Sequence, residues 1–496
     1  MSEEIEIAGI KVPKADWEGT PASIEVLVLV LSERLKQQDE RIRQLEERLN
    51  QNSQNSSKPP ASDGFGQSLK PQKQRPKRHP RGKSKPSPRQ VRKLIPSAAC
   101  DQVQDVLPSV CADCGAPVTG HAPHPHRHQE MELPPIVPLV VEYRLHQLGC
   151  QVCGHQTRAS LPTGVSPSGY GARLSAIVAL LSGPYRQSYR QVCALMTELF
   201  GVRLSRGTVG RLRDELTVAL HTPVATAQDY VAQQPVLHSD ETSFPQGNRD
   251  GRNPQRTKGW LWVLVTPLVS FYEVVLSRSQ QTAKDLINDS YGGIVVSDRY
   301  SAYNWIALAQ RQLCWAHLKR DLTAMAERLG LSGDIGEALL RRQQRLFRWW
   351  HQVRDGTLSR EQFRHQVSYL RHGFKSTLEV AAALPIAPNE KSPLAKTVRT
   401  CRQLLKVEPA LWTFVFALGV EPTNNAAERV LRPAVIWRKT SFGSQAQTGS
   451  QFVARLMTVT TSLKAQGRDI LGFLTQVYSA ARTGEEPPSL IPQDQR

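Results

Sequence analysis

Residues 235–305 carry the pattern that most restricts the fold of this 496-residue chain. A short apolar run that ends in acids, PVLHSDETSF, is followed by two β-rich runs, GWLWVLVTPL and SFYEVVLSRS. Next come a segment of helical composition, QQTAKDLINDSYG, and a further apolar strand that ends in aspartate, GGIVVSDRYSAY. An order of strand, strand, strand, helix and strand predicts a mixed α/β sheet.

Three acids in and after this region stand out by position. Asp240 lies at the predicted end of the first strand, Asp298 ends the strand IVVSD, and Glu428 lies on a helix that follows two asparagines. Acids at strand ends project into a shared cleft, and carboxylates are the ligands that Mg²⁺ and Mn²⁺ prefer. Two such ions can promote phosphoryl transfer. From their spacing alone, the three acids would be interpreted as unrelated surface residues. Each, however, lies in an unusual, non-repetitive string of a basic chain, and this context favours a functional set.

Residues beside these acids leave alternatives open. Glu241 is a rival for Asp240, and its side chain is expected on the opposite face of the strand. His238 and His317 either assist proton transfer or pack. Packing is the favoured interpretation of His317, because it lies in the apolar string CWAHL.

A heptad repeat covers residues 24–49. Apolar residues recur every seven positions: Val28, Leu35, Ile42 and Leu49. A second series fills the alternate seam: Ile24, Leu31, Gln38 and Leu45. The repeat predicts a short coiled coil through which the chain self-associates, with Gln38 favouring register over stability. A single amphipathic helix packed on its own protein is the alternative.

The chain is strongly basic, with 63 Lys and Arg against 44 Asp and Glu, a net charge of +19. This excess favours a polyanionic partner, and nucleic acid is the obvious one. Between Lys58 and Lys93 there are twelve basic residues and one acid, Asp63, in a segment rich in Pro, Ser and Gln. Such a segment is too polar to fold. It binds a DNA backbone by counterion release or serves only as a solvated linker.

Neither a membrane span nor a signal peptide is expected. The apolar run VLVLVL at 26–31 is far shorter than the ~20 residues that cross a bilayer. The start MSEEIEIAG is acidic, whereas signal peptides begin with a basic region.

Four of the eight cysteines form two CxxC pairs with the spacing of a metal site: Cys111 with Cys114 and Cys150 with Cys153, each pair followed by Gly. They predict four thiolates around one tetrahedral Zn²⁺, a closed structural site in a zinc ribbon. The run IVPLVVEYRLHQL at 136–148 is predicted to be a strand between them. One histidine of the string HAPHPHRH could replace a thiolate, although a solvated basic loop is the favoured interpretation.

Residues 170–220 are predicted to be helical, with a turn at Gly201 and a second helix that begins at Ser205. The second helix offers side chains of the kind that recognition helices use: Arg206, Thr208, Arg211 and Arg213. A DNA-binding helix-turn-helix and an ordinary helical hairpin fit this pattern equally well.

The C-terminal half is predicted to be mostly helical. A long helical stretch is expected at 331–418, and a helix capped by Thr423 or Asn424 is stopped or kinked at Pro433. Helix is expected again at 446–482, and the tail GEEPPSLIPQDQR is expected to be disordered.

Several strings carry a resemblance to a known family: NSSKPPASDG, HSDET, SDRYSAYN, CWAHLKRDL and EPTNNAAERVLRP, together with the paired CxxCG turns. In these strings the chain resembles, almost from end to end, transposases of the insertion sequence 66 family. It departs from the more familiar pattern at Arg299, where many members have Gly, and in the residues after CWAH and after RPAVIWRK. These departures indicate a subgroup.

The resemblance implies a multidomain α/β chain with an RNase H-like catalytic core that carries a helical insertion. The expected divisions follow the chain: a coiled coil at 1–50, a basic disordered linker at 51–95, a zinc ribbon-like domain at 96–162, a helix-turn-helix-like region at 165–225, the catalytic domain at 230–325 plus 420–445, the helical insertion at 326–419 and a helical tail at 446–496.

The resemblance also implies DDE chemistry, in which Asp240, Asp298 and Glu428 hold two Mg²⁺ or Mn²⁺ ions. One ion activates a water that cleaves DNA at the element's end, and the freed 3′-hydroxyl then attacks target DNA. The candidate DNA contacts are basic: Arg206, Arg211, Arg429, Arg432, Arg438 and Lys439.

Asn424, Asn425 and Arg429 are expected to position the Glu428 helix or a DNA phosphate. The implied partners are element ends and target DNA, further copies of the chain through the coiled coil, and small companion proteins of the same element. The implied location is the bacterial cytoplasm, with the nucleoid. A non-catalytic DNA-binding protein, a decayed copy and a nuclease that cuts without joining are the alternatives, and the presence of all three acids favours the enzyme.

The zinc hypothesis makes a direct prediction. Chelation of zinc, or Cys111→Ser, should destabilise the N-terminal half of the chain, because a structural zinc contributes folding free energy. Metal analysis of the dialysed protein and thermal melting measure this, with Cys193→Ser as a control outside the paired cysteines. An unchanged melting profile in a protein that carries no zinc would count against the ribbon.

Overall fold

The computed structural model describes residues 4–7, 10–13, 17, 19–49 and 93–492. The chain divides into two compact units, of which one comprises residues 66–139 and the other comprises the remainder. Most of the linker predicted at 51–95 lies outside the described residues, as do residues 493–496.

At the N-terminus, strands β1 (Glu4–Ile7) and β2 (Ile10–Pro13) pair antiparallel, and helix α1 (Ala22–Leu49) follows. Several heptad side chains on α1 are 47–58% exposed: Ile24, Leu31, Leu35, Ile42 and Leu45. An apolar seam of this spacing is what a second helix would bury. The coiled coil itself stays a prediction.

In the unit of residues 66–139, the described part contains a 3₁₀ turn at Ser97–Ala99 and a tight turn at the first cysteine pair. The N–H of Cys111 donates to the carbonyl of Ala116 at 2.8 Å, and the N–H of Gly115 donates to the carbonyl of Cys111 at 3.0 Å. Gly115 has a φ of 73°, which glycine adopts at little cost. The backbone N–H groups of the two residues before Gly115 lower the pKa of the Cys111 thiol.

The second cysteine pair, in the other unit, forms a turn with the same hydrogen bonds. Strands β3 (Gln147–Gly149) and β4 (Gln156–Arg158) flank it as an antiparallel hairpin. The N–H of Cys150 donates to the carbonyl of His155, and the N–H of Gly154 donates to the carbonyl of Cys150, both at 2.9 Å. Backbone N–H groups again lower the pKa of the first thiol. The four-cysteine zinc site stays a prediction.

The strand predicted at 136–148 is wrong over most of its length. The described residues 136–146 form no strand, and Leu139 is 92% exposed. Pro138 removes a backbone donor within the apolar run. Pairing begins only at Gln147, the first residue of β3.

Four helices follow: α2 (Ala172–Ser182), α3 (Tyr189–Phe200), α4 (Arg206–Ala219) and α5 (His221–Ala232). Ser188 and Gln191 cap α3 reciprocally, and Gly201 ends it at a φ of 66°. Ser205 Oγ accepts a hydrogen bond from the N–H of Thr208 at 3.0 Å and starts α4. The predicted turn at Gly201 and helix start at Ser205 are confirmed.

Five strands form the central sheet: β5 (Val236–Ser243), β6 (Trp260–Val265), β7 (Ser270–Val275), β8 (Ile294–Ser297) and β9 (Arg311–Leu313). Helix α6 (Gln280–Ile287) connects β7 to β8. The order is β7-β6-β5-β8-β9, with β6 antiparallel to β5 and β7, and with β8 and β9 parallel to β5. The predicted mixed α/β sheet is confirmed, whereas β9 escapes prediction because three residues make too short a pattern.

A helical stretch follows the sheet: α7 (Trp315–Ala326), α8 (Leu331–Arg354), α9 (Arg360–Ala383), α10 (Pro393–Lys406) and α11 (Thr413–Phe416). It has its own hydrophobic core, in which large aromatic rings meet edge to face. Ring centroids are 5.2 Å apart in both the Trp315–Trp412 and the Trp350–Phe414 pair. The helices predicted at 331–418 are confirmed.

Three further helices complete the chain: α12 (Asn425–Ser441), α13 (Gln447–Gln466) and α14 (Ile470–Thr483). A stop at Pro433 is wrong, because α12 continues to Ser441. Pro433 is exposed, so water can bond to the carbonyl of Arg429, which lacks its helical donor. The helix predicted at 446–482 is confirmed. None of the described helices is both long enough and apolar enough to cross a bilayer.

Helix α13 covers the edge of the sheet at β7. The N–H of Ser270 donates to Ser462 Oγ, and the N–H of Tyr272 donates to Thr458 Oγ1, each at 3.0 Å. All four residues are buried. Hydroxyl groups of a helix therefore satisfy backbone donors that a neighbouring strand would otherwise bind.

The tail that was expected to be disordered packs against the protein as far as residue 492. Leu490 is fully buried, and Gln466 Nε2 donates to its carbonyl at 3.0 Å. Arg468 Nη2 donates to the carbonyl of Ser489 at 2.9 Å. One buried leucine and two carbonyl contacts leave no periodic pattern in the sequence, which is why composition predicts disorder here.

The carboxyl group of Glu273 on β7 makes the stability of the sheet depend on pH. Burial raises its pKa from 4.5 to about 7, and the charge of Arg455 offsets part of this rise. The pKa of Glu273 is higher in the folded state than in the unfolded state. Its contribution to folding stability is therefore complete below the unfolded pKa and is lost as the pH rises through 7.

We expect Glu273→Gln to be more stable than the parent chain at pH 8, by about 1–2 kcal/mol after allowance for partial exposure. The difference should shrink towards pH 5. Thermal melts across this range measure it, with Glu379→Gln as a matched change at an exposed position. Equal pH dependence in the parent and in Glu273→Gln would contradict the assignment.

Candidate active site

Asp240 lies in the middle of β5 and not at its end, which corrects the predicted position. The parallel pairing of β5 with β8 stops at His238 opposite Val296. The antiparallel pairing with β6 continues, with Asp240 opposite Val263. Pairing with β6 continues along β5 as far as Ser243. Pairing with the shorter β8 ends before Asp240, so Asp240 has no strand beside it on that side.

Asp298 follows β8 directly, as predicted. Its Oδ1 accepts a hydrogen bond from the N–H of Tyr300 at 2.8 Å, which turns the chain away from the sheet. Its carbonyl accepts a hydrogen bond from Arg311 Nη2 at 2.9 Å. Because Arg311 is buried on β9, these contacts fix the backbone of Asp298.

Glu428 lies in the first turn of α12, and Asn424 fixes the start of that helix. The buried Asn424 donates from Nδ2 to the carbonyl of Ser239 at 2.8 Å, and its Oδ1 lies 3.1 Å from His238 Nδ1. Its N–H donates to Cys314 Sγ at 3.1 Å. It occupies the N-cap position without a capping bond to its own helix. These bonds join the helix of Glu428 to β5.

Burial and neighbouring carboxylates raise the pKa of Asp240 well above its usual range. Burial is the largest cause, and the charges of Glu241, Asp298 and Glu428 add to it. The structure therefore places Asp298 and Glu428 close enough to Asp240 for their charges to act on it. Carboxylates grouped in this way require protons or cations to offset their repulsion.

Glu241 is held by other partners. Arg278 donates to its Oε1 from Nη2 at 2.6 Å and from Nε at 2.9 Å, and the hydroxyl of Tyr303 donates to its Oε2 at 2.5 Å. Within the described part of the chain, Asp240 Oδ1 accepts the N–H of Glu241, at 2.9 Å, and no other hydrogen bond to this carboxylate is found. Asp240 is therefore the carboxylate of this pair with oxygen atoms left for a ligand.

His317 faces Glu428, so its favoured interpretation as a packing residue is incomplete. Its Nδ1 lies 3.4 Å from Glu428 Oε1, and within the described structure both atoms are buried without a hydrogen-bond partner. Burial and the charge of Arg320 lower the pKa of His317, against the opposing charge of Glu428. A neutral imidazole is therefore favoured near neutral pH.

Cys314 joins His317 and Glu428 in a group that can hold a metal ion, with one ligand atom from each residue within 4.8 Å of the others. A thiol, an imidazole and a carboxylate suit zinc better than magnesium, whereas carboxylates alone suit magnesium or manganese. Burial raises the pKa of the Cys314 thiol to about 11. The unpartnered Oε1 of Glu428 is an atom that a cation would satisfy.

The basic residues predicted to contact DNA on α12 differ in environment. Arg429 and Arg432 are exposed, and Lys439 is half-buried. Arg438 is half-buried and donates to Ser243 Oγ at 2.5 Å, so it holds the end of β5.

On α4, the four predicted recognition residues also differ in their exposure to solvent. Arg206 and Arg211 are exposed, Thr208 is buried and Arg213 is half-buried. A helix with one buried face exposes only part of any such set.

Sequence reasoning missed several residues around the acids. Arg278 and Tyr303 hold Glu241, and the buried Arg311 holds Asp298. Tyr303 belongs to the string SDRYSAY, so its closeness to Asp298 in sequence was an available signal. Arg278 and Arg311 carry no local signal, because their partners lie on other strands.

The three candidate acids thus lie on the mixed sheet, directly after one of its strands and on a helix joined to it. The family model described as Transposase IS66 family matches residues 168–452. This match covers more than half of the chain, which therefore belongs to the IS66 transposase family, as its strings indicated. A second model, described as a family of unknown function, matches residues 13–93.

Two curated relatives come from Sinorhizobium fredii (strain NBRC 101917 / NGR234), and both are described as uncharacterized proteins. Protein y4qI is 25% identical over 320 residues, which is 60% of this chain and 56% of the relative. Protein y4hP is 24% identical over 384 residues, which is 70% of this chain and 66% of the relative. The chain thus spans between a half and two thirds of the length of these relatives.

The repulsion at Asp240 predicts a response to divalent ions that needs no DNA. Mn²⁺ should raise the melting temperature of the parent chain, and Asp240→Asn should remove most of this effect. Without added metal, Asp240→Asn should itself melt higher at pH 8 than the parent, because the raised pKa of Asp240 means that its ionisation costs stability.

Thermal melts with and without Mn²⁺ measure both effects. Asp285→Asn, on the exposed face of α6, is the matched control and should respond as the parent does. A parent chain indifferent to Mn²⁺, or an Asp240→Asn variant that still responds fully, would argue against a cation at this position.

Proposed function

We propose that this chain is a DNA transposase of an insertion sequence, with Asp240, Asp298 and Glu428 as a DDE triad for strand cleavage and strand transfer. The observation that carries the proposal is the placement of the acids: Asp240 lies on β5, Asp298 directly follows the parallel strand β8, and Glu428 lies in the first turn of α12, which Asn424 ties to β5. The raised pKa of Asp240 supports it. Membership of the IS66 family supports DNA as the substrate.

An RNase H-like catalytic core is the fold that this function requires. In support, the central strand β5 carries the first aspartate and the parallel strand β8 runs directly into the second. The helices α8 to α11 stand between the second aspartate and the helix of the glutamate, where a helical insertion is expected.

The triad would hold Mg²⁺ or Mn²⁺. Glu428 also belongs to a second group of possible metal ligands, with Cys314 and His317. When bound, two such ions activate the attacking oxygen and stabilise the leaving oxygen of a phosphodiester. The protein's own residues fix the carboxylates beforehand: Asn424 ties the glutamate helix to β5, and His317 lies against Glu428 on its other side.

Exposed arginines next to the glutamate would hold the DNA. Arg429 follows Glu428 directly, and Arg432 lies one helical turn further along α12. Guanidinium groups bind phosphate oxygens at two points, which orients a backbone without reading its sequence.

Three further parts of the proposal lie outside the catalytic core. The cysteines Cys111, Cys114, Cys150 and Cys153 would hold a structural Zn²⁺, which the matching geometry of their two turns supports. The exposed seam of α1 would pair with a second copy of the chain. The bacterial cytoplasm, at the nucleoid, is the proposed location, with small companion proteins of the element as further partners.

A cleavage assay tests the triad. With labelled element ends and Mg²⁺ or Mn²⁺, Asp240→Ala, Asp298→Ala and Glu428→Gln should each lower cleavage by more than about 100-fold, since loss of an outer-shell partner alone costs 10–100-fold at metal sites. Binding of the same DNA should change little.

Glu379→Gln, an exposed glutamate of α9, should cleave as the parent does. Retained cleavage in any of the three triad variants would reject that residue. A parent chain that binds element ends and cuts none of them would favour the alternative, a non-catalytic DNA-binding protein.

A further inference from the structure

A groove of about 1440 Å³ lies between helices α3 and α4 and the C-terminal end of α12. Its walls are the starts of α3 and α4, the end of α12 from Trp437, and the residues that lead into α13. Arg249 and Asp250, between β5 and β6, line it as well. None of the triad residues lines this groove, so it is separate from the candidate active site.

Arginine dominates the charge of the groove. Five guanidinium groups line it: Arg186, Arg206, Arg211, Arg213 and Arg249. The acids in its lining are Asp214 and Asp250, and Asp250 already accepts the N–H of Gln447 at 2.7 Å. Such a surface attracts a polyanion, and guanidinium groups match phosphate oxygens in geometry.

Arg213 is the most enclosed of these arginines, since the other four are exposed. Its guanidinium lies 3.9 Å from the centre of the Phe452 ring and 5.1 Å from that of Tyr189, whose hydroxyl accepts from its Nη1. Its Nε is buried without a partner, and none of the ion pairs among the described residues includes it. Burial lowers the pKa of Arg213, and Tyr189 and the charge of Asp214 offset part of this effect, so a bound anion would add a further counter-charge beside the guanidinium.

The backbone around the groove is also arranged to receive an anion. Both α3 and α4 begin at its wall; Ser188 and Ser205 each cap one N–H group, and the other N–H groups of the first turn have no partner within the helix. Gly207 and Gly210 on α4 have no side chains, so a ligand can approach the helix closely. Arg186 is held at a φ of 59°, a conformation that non-glycine residues adopt at a cost and that often marks a functional position.

The distance between the groove and the triad is one that a short stretch of duplex DNA can span. Glu428 is near the start of α12, and Thr440, which lines the groove, is twelve residues further on. At 1.5 Å per residue this is about 18 Å along the helix. A duplex rises 3.4 Å per base pair, so about five base pairs would connect the two places.

We propose that this groove binds the phosphate backbone of duplex DNA and holds the element's end about half a helical turn from the cleaved bond. The proposal rests on the proposed transposase function and assigns that function a specific DNA contact. Arg213 forms the centre of the contact, and Arg186 and Arg249 lie at its rim.

The salt dependence of binding tests the groove without relying on catalysis. The full chain is titrated with a 30-base-pair duplex over a range of salt concentrations. Each lost phosphate contact lowers the slope of log K against log salt by about 0.9, so the double variant Arg186→Gln, Arg249→Gln should lower it by about 1.8. Arg190→Gln, an exposed arginine of α3 outside the groove, should leave the slope unchanged.

An unchanged slope in the double variant, or an equal fall in Arg190→Gln, would overturn the proposal. A slope that falls for an RNA duplex and stays the same for DNA would overturn the DNA assignment. Because binding is measured without cleavage, a groove that fails here leaves the triad test intact, and an inactive triad leaves this test intact.

Hydrogen exchange on the unmodified chain provides a second measurement. Addition of the duplex should slow amide exchange in residues 205–211 and 443–449, which line the groove, more than in the distant helix α9. Equal protection of all three segments, or none in the groove, would contradict the proposal even if the arginine variants fail to fold.

Discussion

The buried amide of Asn424 is the interaction on which the candidate site depends. It bonds to Ser239, beside the first aspartate, and its N–H bonds to Cys314 at the start of α7, so one side chain and its backbone join three elements that are far apart in sequence. Buried amides need all of their hydrogen bonds, and loss of one leaves a group unsatisfied at about 1–3 kcal/mol. The arrangement therefore fixes the approach of α12 to β5 within narrow limits.

Around this anchor the protein separates its charges. In a chain with a net charge of +19, Asp240 on the central strand feels the charges of Asp298 and Glu428, whereas the neighbouring Glu241 is paired with Arg278. A divalent cation bound among these acids would offset their repulsion. Exposed arginines lie on α4 and on α12, where Arg429 follows Glu428 directly.

Local chemistry made much of this fold predictable. The caps at Ser205 and Gly201 and the β-rich runs of the sheet are encoded by neighbouring residues, and the structure has them where the sequence indicates. Asp240 was misplaced within its strand because the length of β5 depends on β6, its partner. The meeting of His317 with Glu428 depends on the course of the chain through four helices. Pro433 was misjudged because its cost depends on exposure, which the sequence does not state.

The hydroxyl groups of Thr458 and Ser462 on α13 accept hydrogen bonds from backbone N–H groups of β7. The C-terminal helices are therefore required for solubility as well as for packing. A gene copy interrupted before α13 would encode the carboxylates of the sheet and α12 and yet leave a row of backbone donors open to water. Open strand edges recruit other chains. A chain that ends before α13 should therefore associate with other chains through β7.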